Sequence, residues 1–552
     1  MKFRIAAVLL LFCSASFVLG AVWLKTKMFP YKYLTELPQV ALLSKQVGGA
    51  ATATLPNTLM SAFTRLDVKS LQLDTIYPLE HNGGGMFAIG NRALIVSKRG
   101  KFFLYDSDDA ANVRELDISI NINYQEFLSF VNSKGLDDKI VQNWFRFIDV
   151  LYYEDNSGKS LLLSHYYWHP QDECFTVRIS RLNVPEDGEL ETVSATTDDW
   201  NIVYDTKPCL KIKPKGFYFA GHFSGGRMEF LKQDELLFTV GFLGFDGNAS
   251  DYFYSQGTDG DYGKILKLDL QTGQATDFTI GQRNPQGLAI DSKGRIWSTE
   301  HGPKGGDELN LIEQGANYGW PYVTYGTDYG TTSWPLSESQ GRHDGYRLPI
   351  YSWVPSIGIS NLIEVQGFLP EWEGDLLVTS LNQQTLFRMR YREGRVVFVE
   401  PIQIDLRIRD IDQLDNGNII LWTDKTWIIE LTPGENFITP DIADFVRELD
   451  EPEKQQAINA IHSCHVCHSA TPDGLIENAP NLWGVFDRKI AGSSFSHYSP
   501  ALRSKQGHWN EETLNLWLED SNRFAEGTSM AYPGIANPAI RKAVIDYLKA
   551  LQ

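Results

Sequence analysis

Near the C-terminus the chain reads Cys464-His465-Val466-Cys467-His468. Two thiols three positions apart can each add across a haem vinyl group, and the adjacent histidine then lies under the iron as an axial ligand. A zinc site is the competing chemistry, but zinc wants a second Cys or His pair nearby. Only the separated His497 and His508 follow. Further on, Gly527-Thr528-Ser529-Met530-Ala531-Tyr532 places a methionine in a loop, able to supply the second axial ligand. The spacing predicts covalent haem c attached through Cys464 and Cys467, with His468 on the iron and Met530 a candidate for the second ligand. With both axial positions filled, such a haem relays electrons and does no bond chemistry.

From Glu453 to Gln552 the sequence resembles class I cytochromes c. The likeness rests on Ala479-Pro480-Asn481-Leu482-Trp483-Gly484, the run from Phe495 to Leu502, Trp509-Asn510-Glu511-Glu512-Thr513-Leu514 and the methionine loop. It implies a small all-α domain in which the Pro480 carbonyl accepts the ring N–H of His468, fixing its orientation and basicity. Helix signals bracket the site. Pro452-Glu453 opens one helix before Cys464, and Asn537-Pro538 opens the last, running to Leu551.

The remaining residues must provide the electrons. A chain of 552 residues, 43% hydrophobic, holds more than one domain and buries substantial cores. A net charge of −19 excludes nucleic acid as a partner, because phosphate binding needs a basic face. At the N-terminus, Lys2 and Arg4 precede an uncharged run from Ile5 to Leu24, followed by Lys25 and Lys27. Twenty apolar residues are enough to span a bilayer. An uncleaved membrane anchor is the favoured expectation, with a signal peptide ending at Val18-Leu19-Gly20 as the alternative. Either one exports the chain, so a periplasmic protein is expected, tethered to the inner membrane or released. Of five cysteines, two belong to the haem motif and Cys13 to the apolar run. Cys174 and Cys209 remain, and an oxidising compartment allows them to pair.

Between the N-terminal run and the haem motif the chain repeats a unit of apolar strand, polar turn and alternating strand. It occurs at 85–106, 144–182, 226–270, 287–312, 359–391 and 409–431, with turn signals such as Ser292-Lys293-Gly294 and Asp415-Asn416-Gly417. Helical periodicity is almost absent there. Six such units predict an all-β, six-bladed β-propeller with long loops. The expected organisation is 1–24 signal or anchor helix, 25–65 linker, 66–432 propeller, 433–452 linker and 453–552 cytochrome c domain.

A propeller is a scaffold, so function must come from its loops. The most specific stretches are Gly281-Gln282-Arg283-Asn284-Pro285-Gln286-Gly287-Leu288, Glu300-His301-Gly302-Pro303-Lys304-Gly305-Gly306-Asp307-Glu308 and Gly315-Ala316-Asn317-Tyr318-Gly319-Trp320-Pro321. Here the chain resembles the propeller-type quinoprotein aldose dehydrogenases, the glucose/sorbosone dehydrogenase family, which use pyrroloquinoline quinone (PQQ) and calcium. PQQ carries carboxylates and an ortho-quinone, so it suits guanidinium clamps and a hard cation with oxygen ligands. The resemblance implies that Gln142, Arg283, Asn284, Arg407 and Arg409 contact PQQ, and that the carbonyls of Gly302 and Pro303 hold Ca2+. Arginines separated by one residue on a strand share a face, which suits Arg407 and Arg409. His222, in His222-Phe223-Ser224-Gly225-Gly226-Arg227, is the expected catalytic base. His81, in His81-Asn82-Gly83-Gly84-Gly85, falls too early in the chain, and Gln256 is a fainter candidate.

Two departures stand out. Ser380-Leu381-Asn382 has asparagine where the family often has a PQQ-contacting lysine, and Gly221 precedes His222 where glucose-oxidising members have aspartate. The expected function is oxidation of an aldose or related sugar or alcohol, electrons passing through the haem to a soluble cytochrome or a membrane respiratory component. The alternative is a catalytically silent binding propeller tethered to an electron-transfer domain. Loops 326–348, with Trp334, His343 and Tyr346, and 168–175 are the expected selectors of substrate.

Overall fold

Runs of apolar residues between Gly, Asn and Asp turns form six antiparallel sheets of four or five strands each. The computed structural model describes residues 55–551 apart from short stretches, the longest being 137–144, 213–220, 435–441 and 473–478. The apolar run Ile5–Leu24 and Gln142 lie outside the described residues. Among the described residues no helix is long and apolar enough to cross a membrane.

The sheets are the blades of a six-bladed propeller. Blade 1 opens with Gly85–Ile89, blade 2 with Phe147–Asp155, blade 3 with Gly225–Lys232, blade 4 with Pro285–Ile290, blade 5 with Ile359–Glu364 and blade 6 with Ile408–Gln413. These six are the innermost strands, each pairing outward with the next strand in the chain. The outer strands Arg114–Glu115, Ala275–Ile280, Tyr351–Trp353 and Arg395–Gln403 extend beyond the repeats visible in the sequence. Blade 6 is completed from the other end of the propeller, where Arg65–Gln72 pairs antiparallel with Trp427–Pro433, Leu66 opposite Pro433 and Gln72 opposite Trp427.

Blade 2 is the most elaborate. Its hairpin Gly158–His169 and Cys174–Val184 is the longest in the protein's propeller, and a helix, Tyr124–Ser133, precedes it. That helix buries Phe127 and Val131, one turn apart, against Phe145 and Trp168. Cys174 and Cys209 form a disulfide with Cα atoms 5.7 Å apart, so the pairing left open by the sequence is made.

At the propeller's centre Arg227 Nη1 donates to Asp149 Oδ1 at 2.7 Å and to Asp410 Oδ2 at 2.8 Å. All three side chains are buried. Asp410 also accepts from Met86 N at 2.9 Å and Asn361 Nδ2 at 2.6 Å, while Arg227 Nε reaches the Gln286 carbonyl at 3.4 Å. Blade 3 opens with Gly225-Gly226, both at positive φ, and a Cβ on Gly225 would lie 2.8 Å from Gly241 N. Only glycine lets this strand turn in so closely.

The C-terminal region is helical, with Glu451–His465, Glu511–Glu519 and Pro538–Ala550 as its main elements. Asn510 and Thr513 form a reciprocal capping box, and the Asn537 side chain caps the last helix at Ala539 N with Pro538 in its first turn. Trp509, Trp517, Leu518, Val544 and Leu548 fill the core between them.

Two consequences can be measured. Arg227→Met leaves two buried carboxylates without their shared cation and costs about 3–5 kcal/mol, read as a lowered melting temperature of the propeller. Glu229, half-buried and bonded to Phe230 N, has its carboxyl pushed up to about 8, mainly by burial. The folded state therefore keeps a proton that the unfolded chain has lost above about pH 4.3. Its stabilising contribution is full below that pH and disappears as pH rises through 8. The melting temperature falls over this range, and Glu229→Gln flattens the fall.

Candidate functional site

The innermost strands all start at one end of the central channel, and the second strands of the blades end there. Residues just before a first strand or just after a second strand therefore converge, however far apart they lie in sequence. His222, Arg283, Asn284, Arg146 and Arg407 precede first strands; Glu300, Asn382 and Asp424 end or follow second strands.

His222 sits in a single helical turn, Gly221–Phe223, against the ring of Phe223. Tyr166 donates its hydroxyl to the Gly221 carbonyl at 2.8 Å, and Asn284 Nδ2 reaches the His222 carbonyl at 3.5 Å. Burial pushes the imidazole pKa down to about 3, with Arg283, Arg146 and His301 adding to the effect. The ring is neutral at ordinary pH, the form that can take a proton.

Arg283 is buried, with its guanidinium carbon 4.9–5.2 Å from the ring centres of Phe223, Phe242 and Trp320. Its Nη1 donates to the His301 carbonyl at 2.9 Å, and its Nε has no hydrogen-bond partner among the described residues. The backbone N–H of Arg283 is held by Glu300 Oε1 at 2.5 Å. Burial and the Glu308 carboxylate raise the Glu300 carboxyl well above its usual range. The Asn284 amide is committed to its neighbours, its Oδ1 accepting from Gly225 N and Gln286 Nε2.

Arg407 and Arg409 do share a face, and a residue the sequence reading did not single out explains their aim. Asp424, buried, accepts from Arg407 Nε at 2.8 Å on one oxygen and from Arg409 Nε and Nη2 at 2.9 and 2.7 Å on the other. Arg407 Nη1 also reaches the Leu381 carbonyl at 3.3 Å, which places the Ser380-Leu381-Asn382 step beside the pair. Arg146 was likewise missed. It is 3% exposed and reaches the Asn82 carbonyl at 3.4 Å.

The Gly302–Gly306 loop is organised by Asp307, which is fully buried. Its carboxylate accepts from Gly302 N, Ser356 Oγ, Ile357 N, Gly358 N and Ile359 N, all within 3.1 Å. A Cβ on Gly302 would lie 2.2 Å from the Gly305 carbonyl oxygen. The loop thus folds carbonyl oxygens over its own glycine, and the Tyr329 hydroxyl approaches the Pro303 carbonyl at 3.4 Å. Among the described residues no three His, Cys, Asp or Glu side chains are grouped to hold a metal.

Other candidates have different duties. His81 Nε2 lies 2.7 Å from Asp74 and is half-exposed. Gln256 is held by Asn317 and the Trp320 carbonyl. Trp334 is buried on Trp320 and donates to the Pro321 carbonyl, His343 is buried against Tyr325, and Trp168 belongs to the blade 2 core. Trp334 thus braces Trp320, which itself packs on Arg283.

The C-terminal region encloses a cavity of about 610 Å³ lined by Cys464, Cys467, His468, Pro480, Arg488 and Met530 among others. This is within the roughly 300–1,000 Å³ of small-molecule and cofactor sites. His468 Nδ1 donates to the Pro480 carbonyl at 2.7 Å, which leaves Nε2 for a metal. Neither Cys464 nor Cys467 is in a disulfide. Arg488 donates to the carbonyls of Asn481 and Trp483, and its Nε has no partner among the described residues.

The profile of the family described as Glucose / Sorbosone dehydrogenase matches residues 85–428, and the chain belongs to that family. Aldose sugar dehydrogenase YliI of Escherichia coli is 28% identical over 270 residues, 45% of this chain and 70% of that protein. An uncharacterized protein of Synechocystis is 30% identical over 283 residues, 47% of this chain and 63% of that protein. The C-terminal likeness is to a cytochrome c homolog of Rickettsia bellii, 37% identical over 82 residues, 15% of this chain and 47% of that protein. The crystal structure of the soluble aldose sugar dehydrogenase from Escherichia coli, in its apo-form, shares the fold with a TM-score of 0.51 at 20% identity, covering 67% of this chain and all of that one. The protein is a propeller of the sugar dehydrogenase family carrying cytochrome c homology at its C-terminus.

Asp307→Ala strips five donors of their acceptor and should cost about 3 kcal/mol or more. Limited proteolysis is expected to cut first within Gly302–Gly306, where the wild-type loop resists.

Proposed function

We propose that this chain is a periplasmic quinohaemoprotein dehydrogenase. It oxidises an aldose or related sugar or alcohol with PQQ and Ca2+ and passes the electrons through covalent haem c to an external acceptor. The observation that carries this reading is the convergence of buried Arg283 and Arg409 and the partly exposed Arg407 near a neutral His222. A cluster of guanidinium groups suits a polycarboxylate, and the unpartnered Nε of Arg283 is a donor of the kind such a ligand takes up.

When bound, PQQ would supply the two-electron acceptor, with Ca2+ polarising its quinone oxygen. Arg283, Arg407 and Arg409 hold the carboxylates, and Asp424 keeps the last two parallel. Asn284 acts chiefly on the scaffold, holding the His222 carbonyl and Gly225. The carbonyls of Gly302 and Pro303 are the Ca2+ ligands of this reading, presented by the loop that Asp307 organises. As the anomeric O–H and C–H bonds break and the lactone C=O forms, His222 Nε2 or Nδ1 takes the hydroxyl proton. Burial and neighbouring cations hold the ring in its neutral form, the one that accepts a proton. Aromatic walls at Phe223, Phe242 and Trp320 limit water around the Arg283 clamp.

In the C-terminal cavity, haem c would supply a one-electron relay. Cys464 and Cys467 would hold it through thioethers, His468 and Met530 would ligate its iron, and Arg488 would offer a donor to its carboxylates. The fusion, with 433–452 linking propeller 66–432 to haem domain 453–552, raises the local concentration of acceptor at the reduced site. A soluble cytochrome or a membrane respiratory component takes the electrons onward. The Cys174–Cys209 disulfide supports an oxidising, exported location, as thioether attachment does. An uncleaved N-terminal anchor at the inner membrane completes the reading.

Purified oxidised protein, supplied with PQQ, Ca2+ and a panel of aldoses, is expected to show the reduced-haem absorbance band only when sugar and PQQ are both present. His222→Ala lowers the rate at least about a hundredfold with haem content unchanged. Cys467→Ala abolishes haem reduction while a dye acceptor is still reduced. No turnover and no PQQ uptake in the same sample would select the silent-propeller alternative, to which Asn382 otherwise points.

A further inference from the structure

Arg146 immediately precedes the innermost strand of blade 2, in a stretch where its neighbours Phe145 and Phe147 are buried core residues. It is itself 3% exposed. Together with Arg409 and Gly225 it lines a small cavity at the channel. The carboxylate acting on it is Asp424, the same group that takes Arg407 and Arg409. Burial, with Arg409 and Arg407 adding, pushes its pKa down to about 9. It is also among the cations felt by His222. Arg146 thus shares a cavity wall with Arg409 of the arginine pair and with Gly225, three residues after the candidate base.

A guanidinium at a channel lined by further guanidinium groups suits a ligand that carries several carboxylates. The position of Asn382 bears on which of them it takes. Arg407 binds the Leu381 carbonyl, and Asn382 N is tied to the Ile357 carbonyl, so residue 382 adjoins the arginine pair from blade 5. Arg146 approaches the same pair from blade 2. The positive charge that family members often carry at the Ser-Leu-Lys step is missing from one flank of the pair, and an unassigned arginine stands on the other.

We propose that Arg146 binds a carboxylate of the quinone cofactor and supplies the charge that Asn382 lacks. The proposal rests on the PQQ reading given above. It makes the departure at 382 a relocation of charge rather than a loss of the site.

The test is PQQ titration of the full chain with its haem attached, followed by quenching of tryptophan fluorescence. Arg146→Gln is expected to weaken binding about 30-fold, roughly 2 kcal/mol, with melting temperature and haem spectrum unchanged. Arg146→Lys, which keeps the charge, stays within about fivefold of wild type. Adding Asn382→Lys to Arg146→Gln recovers at least about tenfold, a rescue for which a scaffolding role gives no reason. Wild-type affinity in Arg146→Gln overturns the assignment and leaves the cofactor reading standing. Equal losses in the glutamine and lysine variants, unrescued at 382, also overturn it and make Arg146 a scaffold residue. Should the glutamine variant fail to fold, Arg146→Lys in the Asn382→Lys background carries the test: affinity at or above wild type supports the assignment, and a loss beyond tenfold overturns it. A wild-type protein that takes up no PQQ overturns both readings.

Discussion

One arginine holds the ring together. Arg227 bridges Asp149 of blade 2 and Asp410 of blade 6 from its own place in blade 3, and its Nε reaches Gln286 of blade 4. Asp410 passes the connection to Met86 of blade 1 and Asn361 of blade 5. Every innermost strand thus joins one buried polar network, although each blade has its own apolar packing. Radial packing between blades tolerates sliding, because flat apolar faces have little directional preference. A cation with two fixed carboxylates does not. The register of the strands about the channel, and with it the spacing of the groups that precede them, depends on this contact.

That dependence explains how a site is assembled from so many separate segments. His222, Arg283, Arg146 and Arg407 each lie within three residues of the start of an innermost strand. A small rotation of one blade would carry its opening residue away from the others. Asp424 and Asp307 do locally what Arg227 does for the ring: each is a buried carboxylate whose oxygens are shared among several donors. One aligns an arginine pair and the other shapes a glycine loop. The arginine pair and the glycine loop are thereby held in place by the protein's own hydrogen bonds.

Much of this was legible in the sequence, for identifiable reasons. The Cys464 to His468 spacing carries its chemistry locally, and so does the His468 bond to Pro480, because both belong to one small domain. The six strand repeats were visible as alternation and turns. Arg407 and Arg409 could be assigned a common face from strand period alone. What remained hidden was whatever depended on a distant partner. Asp424 follows Trp422-Thr423 like any turn residue, and only folding brings its carboxylate to Arg407. Arg146 was obscured by the aromatic run around it. The outer strands, such as Arg395–Gln403, have polar faces that read as loop, and the helix Tyr124–Ser133 is an insertion without a repeat to announce it. That the loop residues Trp334 and His343 pack inward, on Trp320 and Tyr325, likewise depends on partners that pattern alone does not name.

The pairing of Arg65–Gln72 with Trp427–Pro433 also governs how the molecule comes into being. A strand made early in synthesis is thus the partner of the last. Until the end of blade 6 emerges, the ring stays open and that early strand has unpaired backbone on the side the last strand will cover. Long-range β pairing of this kind is slow and leaves edges open to wrong partners. Blades 1 to 5 can mature in order while the seam waits. The C-terminal helical region follows the seam in the chain, so a chain truncated before Trp427 would lose that region and the closed ring together.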